Sequence, residues 1–224
     1  MVIKQRAILE EDKLVRRDAI LEAAQALLLE RQGELASVDE VAKRARLAKG
    51  TVYLYFKTKE EIYLALHERR SLEFFDNLDA LTARFGGKTG LRQIARTWLG
   101  CFERHPSYPM LASRCFEFEH KVDFDTLVAF RSAIAQRLDQ SGTRLEGIFP
   151  ELKRGGGAKL LILSYALTLG LWRLTEPTPH RERMLKQRSL DVFRMDFDAE
   201  LETALIALWR GVMGGRPGSV KVKP

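Results

Sequence analysis

Two short patterns constrain the fold of this chain more than anything else in it. Ser37-Val38-Asp39-Glu40 and Thr58-Lys59-Glu60-Glu61 each set a hydroxyl three residues ahead of a carboxylate. In such a capping box each side chain satisfies the other's exposed backbone amide at a helix start. Whatever lies between the boxes has room only for short elements. Val38, Val41, Ala42 and Ala45 supply the buried face of a helix of roughly two turns after the first box. The next stretch, Ala48 to Lys59, reads AKGTVYLYFKTK. Taken alone, Thr51 to Phe56 has strand propensity. No neighbouring segment offers a pairing partner, however, and Val52 with Phe56 keeps an i, i+4 face continuous with Leu47. The reading is therefore a short helix over Lys49 to Tyr55. Two short helices joined by Arg46-Leu47-Ala48 make a helix-turn-helix, which cannot bury itself. A preceding helix, with Ile20, Ala24, Leu27 and Leu28 on one face and Gly33 as its left-handed stop, has to close over Val41, Leu47, Val52 and Phe56. So does a following one from Lys59 through Ile62, Leu66 and Leu72.

The rest of the chain is also helical in period, so an all-α fold is expected. Predicted helices run over Leu91 to Arg104, Pro109 to His120, Phe124 to Leu145, Ala158 to Leu174 and Asp198 to Met213. Gly86-Gly87, Pro106 and Pro109, Gly155-Gly156-Gly157 and Thr175-Glu176-Pro177-Thr178-Pro179 separate them. With 46% apolar residues and only seven prolines in 224, there is material for a substantial core. The expected organisation is a three-helix head over residues 1–59, a helical domain over 60–213 and a basic, disordered tail over 214–224. Ala158 to Leu174 is apolar nearly all round, which predicts burial against several neighbours, a second subunit among them. Its run from Leu160 to Trp172 falls short of the ~20 residues a bilayer span requires. No membrane association is expected, and the N-terminus MVIKQRAILEEDK lacks a signal-peptide core, so the predicted location is cytoplasmic. Cys101 and Cys115 have neither metal-ligand nor disulfide-scaffold spacing and read as reduced core residues.

Charge points to the partner. The formal net charge is +7 and the sequence pI about 9.5. The excess is concentrated. Lys43, Arg44, Arg46, Lys49, Lys57 and Lys59 fall between Val41 and Lys59 with no acid among them. The second helix of a helix-turn-helix enters the major groove of DNA, so its outer face has to be small or hydrogen-bonding and its flanks basic. Gly50 allows close backbone approach, Thr51 can reach a phosphate or a thymine methyl, and Tyr53 and Tyr55 offer flat rings with hydroxyl donors. Lys49, Lys57 and Lys59 suit phosphates, as do Arg16 and Arg17. The helix start at Ser37 offers free amides to another phosphate. The competing reading makes the aromatics core and the lysines a solvated face.

Ser37 to Leu66, SVDEVAKRARLAKGTVYLYFKTKEEIYLAL, closely resembles the DNA-binding segment of TetR-type (tetracycline-repressor family) transcriptional regulators. The likeness runs from Val41-Ala42 through Thr51-Val52-Tyr53 and Tyr55-Phe56 to Lys59. It implies DNA contacts by Thr51, Tyr53, Tyr55 and Lys59, a homodimer, and a C-terminal helical domain whose small-molecule effector releases a DNA operator. Two residues depart from the family pattern. Arg46 replaces the usual turn glycine, so an arginine must take a left-handed backbone at about 1 kcal/mol, or the turn must differ. A basic side chain there could compensate by reaching phosphate. Ala48 replaces the usual serine cap of the recognition helix, losing about 1 kcal/mol of capping.

A homodimer also follows from physics. One short helix reads few base pairs, and a second copy about 34 Å away supplies the rest. Ala158–Leu174 and Asp198–Met213 are the expected dimer helices. Trp98, Phe102, Phe116, Phe118, Phe130, Tyr165 and Trp172 lie on helices that surround the effector pocket in the family, which makes them the candidate ligand-binding residues; Glu117, Glu119 and His120 could add polar contacts. No cofactor and no metal are expected. Glu117-x-x-His120 lacks the second copy that a di-iron bundle needs. Gly87-Lys88-Thr89 lacks the spacing and preceding strand of a phosphate loop. No nucleophile-base pattern points to an enzyme. The expected function is thus a ligand-responsive, DNA-binding repressor acting on a near-palindromic operator. The alternative is an adaptor or nucleoid-binding protein of the same fold with no effector.

Overall fold

The structure, a computed structural model, describes residues 2–86, 89–105 and 107–214, with side chains from Asp12 onward. The Gly87-Lys88 pair and the tail beyond Gly214 lie outside the described residues. All regular structure among the described residues is helical: α1 (Val2–Glu30), α2 (Val38–Arg44), α3 (Lys49–Tyr53), α4 (Lys59–Thr82), α5 (Leu91–Glu103), α6 (Ser107–Ala112), α7 (Cys115–Glu119), α8 (Phe124–Ile148), α9 (Gly156–Thr175), α10 (Pro179–Met184), a 3-10 turn at Arg188–Phe193, and α11 (Phe197–Gly214). The all-α expectation holds. The chain divides into two compact units, Met1–Ser71 with Pro106–Ala133, and Leu72–His105 with Ile134–Pro224.

In the first unit α1 buries Ile20, Leu21, Ala24 and Leu28 completely. It stops where Gln32 and Gly33 turn left-handed, with φ of 53° and 96°. The Gly33 N–H then returns to the Leu28 carbonyl at 2.9 Å, a glycine-terminated helix end. The predicted capping box opens α2, with Ser37 as N-cap and Glu40 reaching back to it. Arg46 takes the left-handed conformation outright, at φ 58°, and the Leu47 N–H bonds to the Ala42 carbonyl at 3.0 Å. Ala48 caps α3 without a side-chain hydrogen bond. Regular α3 ends at Tyr53, two residues short of the expected Tyr55. The winding continues through Leu54 in right-handed helical geometry, and the Phe56 N–H bonds to Val52 at 3.0 Å. The box at α4 differs in detail from expectation. Thr58 Oγ1 accepts from the Glu61 N–H at 3.1 Å, but the Glu61 carboxylate accepts from Lys57, not Thr58, at 2.7 Å. The expected single helix Pro109 to His120 is broken into α6 and α7. Ser113 Oγ turns back onto the Met110 carbonyl at 3.1 Å, and Arg114 leaves helical geometry at φ −109° and ψ 1°.

In the second unit α11 packs against both α5 and α9. Two indoles fix the packing. Trp98 Nε1 donates to Thr168 Oγ1 at 2.9 Å and Trp209 Nε1 to Ser164 Oγ at 3.0 Å. The polar residues of α9 thus face its neighbours, while Ile162, Leu163 and Leu174 stand exposed. At 20 residues with mean hydropathy 1.2, α9 is by length and composition long and apolar enough to cross a membrane, contrary to the shorter apolar run read from sequence. α8 and α9 meet backbone to backbone. A Cβ on Gly157 would lie 2.1 Å from the Gly142 carbonyl oxygen. α10 and the 3-10 turn occupy a stretch read as breakers. Thr178 Oγ1 accepts from the Arg181 N–H with Pro179 at the first helical position, the place where proline fits a helix.

Candidate nucleic-acid interface

The interface is set by how α3 is mounted. Val52 is fully buried and Phe56 nearly so, so one side of α3 is fixed to α2 and the other faces out. Gly50, Tyr53 and Lys49 are exposed, and Thr51 and Tyr55 are half-buried on its flanks. Arg17 lies over the Phe56 ring, its guanidinium carbon 5.6 Å from the centroid. Arg16 is exposed nearby in sequence on α1.

Three-dimensional pairing sorts the basic block. Lys43 is neutralised by Asp39 at 2.7 Å, and Arg44 donates to Glu30 at 3.0 Å. Lys57 shares an ion pair with Asp123 at 3.6 Å. Arg46, Lys49 and Lys59 form no ion pair among the described residues, although the charge of Lys49, after the Lys43 hydrogen bond, helps to lower the Asp39 carboxyl and Lys59 lines a cleft with Glu34, Glu60 and Glu117. The bases of this block without an ion pair thus fall at the turn and at the starts of α3 and α4, not on α2. Ser37 is exposed, but its N–H already donates to Glu40 Oε2 at 2.8 Å. Hydrogen bonds from the Arg31 guanidinium, then from the Ser37 backbone and hydroxyl, hold the Glu40 carboxyl down to about 2. The Ser37 and Glu40 amides are thus already bonded within the capping box.

The predicted ligand-binding aromatics fall into both units. In the second, Trp98 and Phe102 pack together with Phe74, at centroid distances of 4.9 and 5.1 Å from it. Trp172 stacks edge-on against Phe197, and its buried indole N–H has no partner among the described residues. Tyr165 is half-buried on α9. In the first unit Phe118 lies against Tyr63, Phe130 against His67, and Phe116 stands 66% exposed beside Arg131. An open cleft of about 600 Å³ in the second unit is lined by Leu81, Gly90, Arg92, Arg96 and Arg104 among others, and by none of these aromatics.

Sequence reading missed two features. Leu54, on the winding of α3, is 83% exposed. His67 is buried between Tyr108 and Phe130, with neither ring nitrogen bonded among the described residues. The outward position of Leu54 follows from Val52 and Phe56 facing inward, whereas nothing near His67 in the sequence signals its burial.

A basic, outward-facing helix seated on a second short helix across a tight turn defines the helix-turn-helix class of DNA-binding modules. Residues 20–66 match the family described as bacterial regulatory proteins, tetR family, and residues 68–216 match the tetracyclin repressor-like C-terminal domain. The chain belongs to the TetR family. It is 35% identical over 60 residues to the fatty acid metabolism regulator protein of Bacillus subtilis strain 168, covering 27% of this chain. It is 35% identical over 82 residues to the HTH-type transcriptional activator FasR of Mycolicibacterium smegmatis, covering 37% of this chain. These matches span 31% and 32% of the relatives' own length, about a third of each. The fold also matches the fatty acid degradation regulator FadR from Bacillus halodurans, with a TM-score of 0.55 at 16% identity over 88% of this chain and 98% of that one.

Proposed function

We propose that this protein is a ligand-responsive, DNA-binding regulator of transcription with no catalytic role, working as a homodimer in the cytoplasm. It represses from a near-palindromic operator and leaves it when a small organic effector shifts the spacing of its two heads. One observation carries the reading: α3 is bolted down by Val52 and Phe56, while Lys49, Gly50 and Tyr53 stand exposed on it and Arg46 stands exposed in the turn before it. Thr51, Tyr53 and Tyr55 contact the duplex, and Lys59, Lys49 and Arg46 neutralise phosphates.

The dimer face is assigned to α9 and α11. Ile162, Ala166, Gly170 and Leu174 are all exposed and recur every fourth residue along α9, and Ala199, Thr203, Ala207 and Gly211 do the same on α11. Burying these stripes against a second copy would give an assembly that carries two recognition helices. Effector binding is supported by buried polar atoms without partners among the described residues, His67 and Ser107 in the first unit and Trp172 in the second. Because one curated relative is named as a regulator of fatty acid metabolism and one solved neighbour as a fatty acid degradation regulator, a fatty acid or its acyl derivative is the first effector class to try.

Selection from a pool of random duplexes tests the reading. Enrichment of a short near-palindrome, weakened by salt and released by stearate or another organic ligand, is the expected result. Salt-sensitive binding without sequence preference would instead establish the adaptor alternative.

A further inference from the structure

The outermost point of the recognition helix carries no hydrogen-bonding side chain. At about 100° per residue, Leu54 lies roughly 200° around the winding from Val52, and Gly50 sits on the same side one turn earlier. Leu54 is 83% exposed and Gly50 is exposed, with nothing within 4 Å of the place its Cβ would occupy. Tyr53 and Tyr55, the residues that catch the eye in the sequence, sit a quarter-turn or so to either side, one 46% exposed and the other half-buried. The flanks thus hold the hydroxyls and rings, and the apex holds an isobutyl group.

A leucine exposed at the apex of a helix that enters a DNA groove gains from an apolar partner there. The edges of the base pairs in the major groove present hydrogen-bond donors and acceptors and one apolar group, the 5-methyl of thymine. A leucine facing any other base would desolvate polar edges without replacing their hydrogen bonds. Gly50 beside it removes the side chain that would otherwise keep the winding away from the groove floor.

We propose that Leu54 is a sequence-reading residue that selects a thymine in each half-site through its 5-methyl group, while Tyr53, Tyr55 and the surrounding bases hold the helix in register. This rests on the DNA-binding reading above and adds the chemistry of one base preference to it.

The test starts from the operator enriched with the full-length protein. Each thymine of one half-site is replaced in turn by deoxyuridine, which removes the methyl and leaves every hydrogen-bonding group in place. At one position the wild-type affinity is expected to fall about fourfold, the loss of one buried methyl. In Leu54→Ala the same replacement is expected to matter less than about twofold, with the salt dependence of binding unchanged because no phosphate contact is lost. Leu54 is exposed, so the variant's fold is not at stake, and an unaltered circular dichroism spectrum and melting curve check this. Deoxyuridine effects below about twofold at every position would overturn the proposal, as would a full effect surviving in Leu54→Ala. Both of those outcomes leave the regulator reading standing. Failure to enrich any sequence would overturn that reading and this one with it.

Discussion

The phenol oxygen of Tyr63, a fully buried residue on α4, accepts a hydrogen bond from the backbone N–H of Ala36 at 2.9 Å. Ala36 is the last residue before the α2 cap, so one side chain pins the loop that launches the helix-turn-helix. In Tyr63→Phe the ring remains and a buried amide loses its partner. A loss of about 2 kcal/mol in unfolding free energy is expected, read by urea denaturation. A change below about 0.5 kcal/mol would mean that the amide finds another acceptor.

Arg46 holds a left-handed backbone at φ 58°, a conformation that glycine adopts without steric cost. Arg46→Gly is therefore expected to raise stability by about 1 kcal/mol while weakening DNA binding at every sequence and lowering the salt slope by about one unit. Melting curves and a salt titration separate the two effects. A stabilised variant with unchanged binding would remove Arg46 from the phosphate contacts.

A Cβ on Gly157 would sit 2.1 Å from the Gly142 oxygen and 2.7 Å from its carbonyl carbon, both backbone atoms that cannot swing aside. Gly157→Ala should cost about 3 kcal/mol or more by forcing α8 and α9 apart. Gly147→Ala, also on α8 but with nothing within 4 Å, is the control. It should be neutral or stabilise by up to about 1 kcal/mol.

His67 is enclosed by Tyr108 and Phe130, and burial followed by the charge of Arg131 pushes its imidazole down to about 3. The folded state then binds a proton less readily than the unfolded chain, whose histidine titrates near its ordinary 6.5. Stability is full above that value and falls with pH below it, by about 2 kcal/mol between pH 7 and pH 5. His67→Phe, which suits the aromatic stack, should flatten this stretch of the stability-pH profile. An equal slope in both proteins would place the titration elsewhere.

Glu40 titrates lower. Its folded value of about 2 lies below its ordinary 4.5, so its contribution is present above about pH 4.5 and lost as pH falls toward 2. Glu40→Gln should melt below the wild type at neutral pH, and the difference should shrink between about pH 5 and pH 3. A pH-independent difference would show that Arg31 and Ser37 do not depend on its charge.

The local part of this architecture was legible because it is encoded by neighbours. Ser37 with Glu40, Gly33 after Leu28, and Val52 with Phe56 are each separated by five residues or fewer. The parts that were not legible depend on distant partners. The break between α6 and α7 involves Arg114, whose Nη1 donates to the Gly33 carbonyl at 2.6 Å, a partner that no window around Pro109 contains. Arg44 reads as part of an unbroken basic block until Glu30, fourteen residues earlier, folds against it. α10 is hidden for another reason: Thr178-Pro179 is a helix start as well as a breaker, and the local sequence does not choose between the two. Leu54 faces outward because Val52 and Phe56 face inward, but an apolar side chain carries no hydrogen-bonding signal of groove contact beside the two tyrosines.

The assembly of the first unit from two separated stretches limits how the protein can be dissected. Tyr63 lies on Phe118, Ser71 Oγ donates to the Tyr108 hydroxyl at 3.3 Å, and His67 lies against Phe130. A recombinant fragment ending after Ser71 would keep the whole helix-turn-helix and lose the partners of all three residues. Such a minimal head would expose an oily flank and be prone to clumping, whereas a graft that carries residues 107–133 along would keep that flank covered.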